Sequence, residues 1–267
     1  MTLRGLQRRL QWVPDAGKGT LFGGLLRWVG HHVRGLYAAV GVLLSASLAL
    51  ALLALWGLSA LTEEVLEGDT ARMDHAVLFW MNGQATPWLD RAAVEITALG
   101  DTLVMLLVAL ISASFLWLLG RKAYAALLIA AVAGGGVITP VLKTIFDRPR
   151  PQILELRAHF TESSAAYPSG HATMSMVTLV TIAFIIHRLS RHRWLGVFAG
   201  GLAGVVILLI GLSRLYLGLH FPSDVIAGYA VGFTWAVLCA LTMIAAESRQ
   251  GGSGATNLSA TEIPTDT

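Results

Sequence analysis

Three short polar stretches interrupt an otherwise apolar sequence, and their residue types suit one kind of chemistry. KTIFDRPRP, from Lys143 to Pro151, offers a point charge in Lys143 and a planar guanidinium fork in Arg150, both matched to phosphate oxygens. Pro149 and Pro151 restrict the local backbone and are expected to end the preceding helix, turning the two cations towards one point. The same pair would also arise from basic side chains snorkelling to a membrane interface. YPSGH, from Tyr167 to His171, places Ser169 and Gly170 at the first turn of an expected helix, where free N–H groups and the helix dipole favour an anion. His171 follows within reach of a leaving group, although a histidine at a membrane boundary needs no such role. SRLYLGLHFPSD, from Ser213 to Asp224, contributes Arg214, His220 and, four positions later, Asp224. A carboxylate on one imidazole nitrogen fixes the tautomer, frees the other nitrogen to attack and stabilises the cation formed afterwards. A structural hydrogen bond is the plainer reading of that pair. Taken together, the three stretches hold what phosphoryl transfer needs: cations around the equatorial oxygens, a nucleophile and a proton donor for the leaving oxygen.

The elements that must position these residues are membrane helices. Of 267 residues, 55% are hydrophobic and only 13% charged, far from the balance of a soluble domain. A bilayer core about 30 Å thick takes roughly 20 helical residues to cross. Charge-poor runs of that order occupy Gly35 to Thr62, Thr102 to Gly120, Ala123 to Leu142, Ser163 to His187, Trp194 to Ser213 and Val225 to Ala246. The expected fold is therefore an all-α polytopic bundle of six transmembrane helices, residues 35–246. Asp74 to Leu99 is too polar to span and suits helices lying at the outer interface. A basic arm, residues 1–34, precedes the bundle, and a small, polar tail, residues 247–267, is expected to lack fixed structure. The first apolar run reads as a retained anchor rather than a cleaved signal. The lone cysteine, Cys239, allows no intrachain disulfide.

Lys and Arg counts orient the bundle. Arg4, Arg8, Arg9, Lys18, Arg27 and Arg34 precede the first run; Arg121 and Lys122, then Arg188, Arg191 and Arg193, then Arg249, occupy alternate connections. Those segments, with both termini, are expected in the cytoplasm. All three polar stretches then fall at the outer face. Lys143, Arg148, Arg150, Arg157 and Arg214 run against the charge bias there, and a bound anion accounts for them.

In order and spacing, Lys143-x6-Arg150-Pro151, Pro168-Ser169-Gly170-His171 and Ser213-Arg214-x5-His220-x3-Asp224 resemble the three signature motifs of the type 2 phosphatidic acid phosphatase (PAP2) superfamily. The resemblance covers about residues 74–246 and shows no departure from the motifs. It implies a metal-independent phosphatase in which His220 attacks phosphorus to give a phosphohistidine, Asp224 orients it and His171 protonates the leaving oxygen. Lys143, Arg150 and Arg214, with Ser169 and the N–H of Gly170, would hold the phosphate. No metal, cofactor or nucleic-acid partner is implied. The six-residue spacing selects Arg150 over Arg148, which is assigned with Asp147 to local structure.

A site between spans at the outer interface suits a lipid phosphate or diphosphate whose tail stays in the bilayer. Undecaprenyl diphosphate, phosphatidylglycerophosphate and phosphatidate all fit, and the oligomeric state is open. A bacterial inner membrane, with the site facing the periplasm, is the expected location. A lipid-to-lipid phosphotransferase would use the same residues. A transporter would need charge within the spans, whose central portions hold no Asp, Glu, Lys or Arg.

Overall fold

The computed structural model describes residue 49, residues 52–151 and residues 164–258, of which 248–258 are described as backbone. They belong to one unit, Ser47–Thr267. The basic arm and most of the first apolar run lie outside the described residues. All regular structure among the described residues is helical: α1 (52–67), α2 (Ala71–Gly83), α3 (Pro87–Leu99), α4 (Thr102–Leu118), α5 (Lys122–Phe146), α6 (Gly170–Leu189), α7 (Arg193–Tyr216) and α8 (Pro222–Leu258).

The protein is an integral membrane protein. Helices α5, α6, α7 and the Pro222–Glu247 part of α8 are long and apolar enough to cross a bilayer, and α3 with α4 makes a fifth candidate, bent by 50°. Six spans are thus four or five among the described residues. α4 alone has 17 residues, short of a full crossing, and the first run is described only from its end. Apolar side chains such as Ile111 and Leu118 on α4, and Val197 and Phe198 on α7, are exposed, as a lipid-facing surface requires.

Three expected boundaries move, each for a local reason. α6 begins at Gly170 rather than at Ser163. Hydropathy cannot see that Pro168 disfavours helix at Tyr167, or that the Ser169 N–H is spent on the Asp224 carbonyl, 3.0 Å away. α5 ends at Phe146, ahead of Pro149, because Asp147 adopts the left-handed conformation (φ 38°) and its N–H returns to the Lys143 carbonyl. α8 continues as backbone helix to Leu258, into the polar stretch expected to lack fixed structure, and residues 259–267 lie outside the described residues.

α6 is the central helix, packed against α4, α5, α7 and α8. Its inner half joins Met105 and Ala109 of α4, Leu128 and Val132 of α5 and Cys239 of α8 in one core through Met174, Val177 and Ile185. The α6–α8 contact is close because α8 carries Gly228 and Gly232, one helical turn apart. A Cβ on either would come within 2.7 Å of a backbone oxygen of α6's first turn, Ser169 or Thr173 respectively. Small residues at this spacing let two helix backbones approach in a membrane, where no hydrophobic force drives helices together. At the far end of the bundle, Tyr124 donates to Glu247 at 2.6 Å and Arg188 pairs with the same carboxylate, tying α5, α6 and α8. Arg121, Lys122, Arg191 and Arg193 lie at that end too, at or beside the ends of α5, α6 and α7.

Gly232→Leu should lower the unfolding midpoint of the detergent-solubilised protein by several degrees, since overpacking costs about 1–3 kcal/mol. Gly204→Ala, in α7 with nothing within 4 Å of its added Cβ, should leave the midpoint unchanged or raise it. Thermal unfolding followed by tryptophan fluorescence checks both.

Candidate active site

The end of the bundle opposite the Tyr124–Arg188–Glu247 cluster holds a cavity of about 550 Å³. Its walls come from the start of α4 (Asp101, Thr102), the last turns of α5 (Gly136, Thr139, Pro140, Lys143), the start of α6 (Gly170, His171, Met174), Ser164 and His220. Residues from all three polar stretches therefore meet around one space.

His220 is placed by two helix ends. α7 closes with Gly218 at φ 71°, and the N–H groups of Gly218 and Leu219 return to the carbonyls of Leu215 and Arg214 at 3.0 Å each. This is the Schellman arrangement that glycine permits. Three residues later α8 begins with Pro222, whose missing N–H is no loss at a first helical position. Asp224 reaches back from that first turn so that its Oδ2 accepts the Phe221 N–H at 2.8 Å, as the acidic member of a capping box does. Between these two fixed ends the His220 ring is 1% exposed. Its Nδ1 lies 3.5 Å from Asp224 Oδ2, an ion-pair distance rather than a formed hydrogen bond, and its Nε2 lies 3.3 Å from Arg150 Nη1. The two ring nitrogens thus face opposite kinds of neighbour, a carboxylate and a cation.

Lys143 and Arg150 converge as expected. Ser164 Oγ accepts from Lys143 Nζ at 3.0 Å and from Arg150 Nη2 at 3.2 Å, so both cations address one oxygen. Arg150 is further held by Nε to the Ser164 carbonyl (2.9 Å) and by Nη1 to the Leu219 carbonyl (2.8 Å). Arg214, 2% exposed, donates to Thr97 Oγ1 of α3 at 3.1 Å and lies 3.5 Å from His171 Nε2. Ser169 and Gly170 sit at the start of α6, and Ser169 is fully buried. Ser169 Oγ makes no hydrogen bond among the described residues, which leaves a buried hydroxyl at a helix N-terminus.

Arg148 departs from its expected role. Asp147 is the local residue, capping α5, but Arg148 reaches Asp224 Oδ1 (2.6 Å), Ser223 Oγ (2.7 Å) and Asp74 Oδ2 (2.9 Å), with its guanidinium 4.5 Å over the Phe221 ring. Asp74, Thr97 and Ser164 are contributors that spacing does not reveal. Asp74 offered a faint signal as a lone carboxylate near the start of the apolar helix ARMDHAVLFWMNG. Tyr167, beside the PSGH turn, shares a 2.6 Å hydrogen bond with Thr62 of α1. Burial pushes its phenol up from 10.0, so it stays protonated there.

The chain is 34% identical over 177 residues to phosphatidylglycerophosphatase B of Bacillus subtilis (strain 168), covering 64% of this chain and 81% of that protein. A PAP2 superfamily pattern matches residues 124–247. The chain belongs to the PAP2 superfamily. The crystal structure of a transmembrane PAP2 type phosphatidylglycerolphosphate phosphatase from Bacillus subtilis superposes with a TM-score of 0.65 at 25% identity, over 71% of this chain and 93% of that one. That of Aquifex aeolicus LpxE gives 0.50 at 27% identity, over 64% and 94%. As a PAP2 enzyme the chain is a membrane phosphatase of the lipid-phosphate class, a hydrolase of phosphoric esters.

For this PAP2 site, Lys143→Ala and Arg150→Ala should each lower kcat about a hundredfold or more, the scale of removing one transition-state donor. Ser164→Ala, which removes a hydrogen-bond acceptor and no charge, should cost much less. Steady-state phosphate release from a lipid phosphate in detergent micelles separates the three.

Proposed function

We propose that this enzyme hydrolyses lipid phosphates or diphosphates at the outer membrane interface through a phosphohistidine on His220. The observation that carries the reading is the division of the His220 ring, with Nδ1 towards Asp224 and Nε2 towards Arg150. In this reading the ring carries its proton on Nδ1, facing the carboxylate, and presents the Nε2 lone pair to whatever the cations bind.

In the proposed reaction the substrate phosphate sits among Lys143, Arg150, Arg214, Ser169 and the Gly170 N–H. His220 Nε2 attacks phosphorus as the bond to the leaving oxygen breaks, and His171 gives that oxygen its proton. Asp224 balances the positive ring. A water then attacks the phosphohistidine in line, losing its proton to His171, and releases inorganic phosphate and the free ring. The cations and N–H groups carry the charge of both transition states.

The lipid class follows from the position of the cavity between apolar helices, with α4 and α5 forming walls. A tail can remain in hydrocarbon while the head reaches the charged end. Phosphatidylglycerophosphate, undecaprenyl diphosphate and phosphatidate share that design. The full protein in this proposal has six spans, the first from the 35–62 run. Its termini and basic connections lie in the cytoplasm, and its cavity opens on the periplasmic side of a bacterial inner membrane. The clustering of Arg121, Lys122, Arg188, Arg191 and Arg193 at the end away from the cavity supports this orientation.

The purified enzyme should release phosphate from one or more of these three lipids in excess EDTA, and His220→Ala should abolish it. His171→Ala should also stop turnover yet still become phosphorylated by a substrate with a good leaving group, whereas His220→Ala should not. Label on His220→Ala would overturn the nucleophile assignment. Transfer of label to a second lipid, without free phosphate, would replace hydrolysis by phosphotransfer.

A further inference from the structure

The charge arrangement behind His220 contains a relay that the motif chemistry leaves out. Asp74 and Asp224 both have fully buried side chains, come from α2 and α8, and flank one guanidinium. Arg148 gives Nη1 to Asp224 Oδ1 and Nη2 to Asp74 Oδ2, so each carboxylate receives its own arm of the fork. Asp74 also accepts the Ser223 N–H at 3.1 Å and the Ser223 hydroxyl at 2.6 Å, which pins the first turn of α8 immediately before Asp224. The guanidinium face is covered by Phe221, itself stacked on His75 at 5.7 Å. Every motion open to Arg148, whose side chain is 15% exposed, would break a charge-assisted bond to a buried carboxylate.

This arrangement settles how Asp224 can meet His220. With Oδ1 held by Arg148 and Oδ2 held by the Phe221 N–H, the carboxylate has no rotational freedom, and Oδ2 is the oxygen next to the ring. With both carboxylates ionised, the two and one guanidinium carry one net negative charge. That charge is what a His220 ring made positive by phosphorylation would neutralise. An unpaired buried carboxylate would instead take up a proton or turn to another donor.

Resting on the proposed role of His220, we infer that Arg148, anchored by Asp74, is a positioning residue for the nucleophile and acts through Asp224. Arg148 touches no reacting atom. Its fork fixes the carboxylate that fixes the ring, and Lys cannot replace it, because one ammonium does not span two carboxylates in a plane.

The test is a mutant cycle on the full-length protein in detergent, with phosphate release from phosphatidylglycerophosphate as the readout and thermal unfolding as the check on folding. Arg148→Lys and Asp224→Asn should each lower kcat at least about tenfold, on the scale by which outer-shell partners tune a site, with KM within about twofold. The double variant should be no slower than Asp224→Asn alone, because the effect of Arg148 passes through that carboxylate. Losses that multiply in the double variant, or a normal kcat for Arg148→Lys, would overturn the inference. If Arg148→Lys does not fold, Asp74→Asn combined with Asp224→Asn reads the same coupling, with non-multiplying losses in support and multiplying losses against. Wild-type release that His220→Ala leaves intact would instead sink the nucleophile reading, and this inference with it.

Discussion

The site depends on one close approach, that of the N-terminal ends of α6 and α8. Two helices that each begin with unsatisfied N–H groups and a positive dipole end have no electrostatic reason to start side by side. They do so because Gly228 and Gly232 let the backbones touch, and because the Ser169 N–H is taken by the Asp224 carbonyl. With those ends locked, Ser169, Gly170 and His171 on one helix and His220 with Asp224 beside the other cannot drift apart. A cation-lined pocket at that junction turns two adjacent helix starts into a place for an anion.

The second constraint is that charge cannot be left alone in an apolar bundle. The enzyme meets it by distributing its basic residues over different partners. Arg214 is buried with Thr97 on α3, Arg150 spans the Ser164 and Leu219 carbonyls, and Arg148 is consumed by two carboxylates. At Ser164 both Arg150 and Lys143 meet a neutral oxygen, and Lys143 lines the cavity. Arg148, by contrast, is neutralised twice over. That difference explains why two arginines two positions apart in DRPRP do unlike work.

Most of the site was legible because its residues are anomalies. Against stretches of Leu, Ala and Val, a Lys-x6-Arg or a His-x3-Asp cannot be overlooked, and the helical class followed from the same apolar background. The motif spacing singles out Arg150 over Arg148, and Arg150 Nη1 lies 3.3 Å from His220 Nε2. It failed for Arg148, since its partners Asp74 and Asp224 lie 74 and 76 positions away in sequence, and nothing local announces a contact at that range. Asp74 and Thr97 were hidden for a related reason. A lone carboxylate or hydroxyl on a mixed helix is the ordinary solvated case, and only the packing of α2 and α3 over α7 turns them inward. The start of α6 was misjudged because a hydropathy run registers side chains, whereas Pro168 and the Ser169 N–H act through the backbone.

The cavity itself is made by what α5 lacks. Near its end, Pro140 has no N–H to return to the Gly136 carbonyl, and Thr139 spends its hydroxyl on the Gly135 carbonyl at 2.9 Å. Gly136 adds no side chain, and a Cβ there would meet nothing within 4 Å. Both Gly136 and Pro140 line the cavity, Pro140 one turn below Lys143 and Gly136 two turns below it. A regular helix of Leu and Val at these positions would fill the space in front of His220. Stability given up along this stretch of α5, where glycines and a proline weaken a helix, is therefore the condition for having room beside the nucleophile. The cost can be borne because the first half of the same helix keeps Leu127, Leu128, Ala131 and Val132 in the main core.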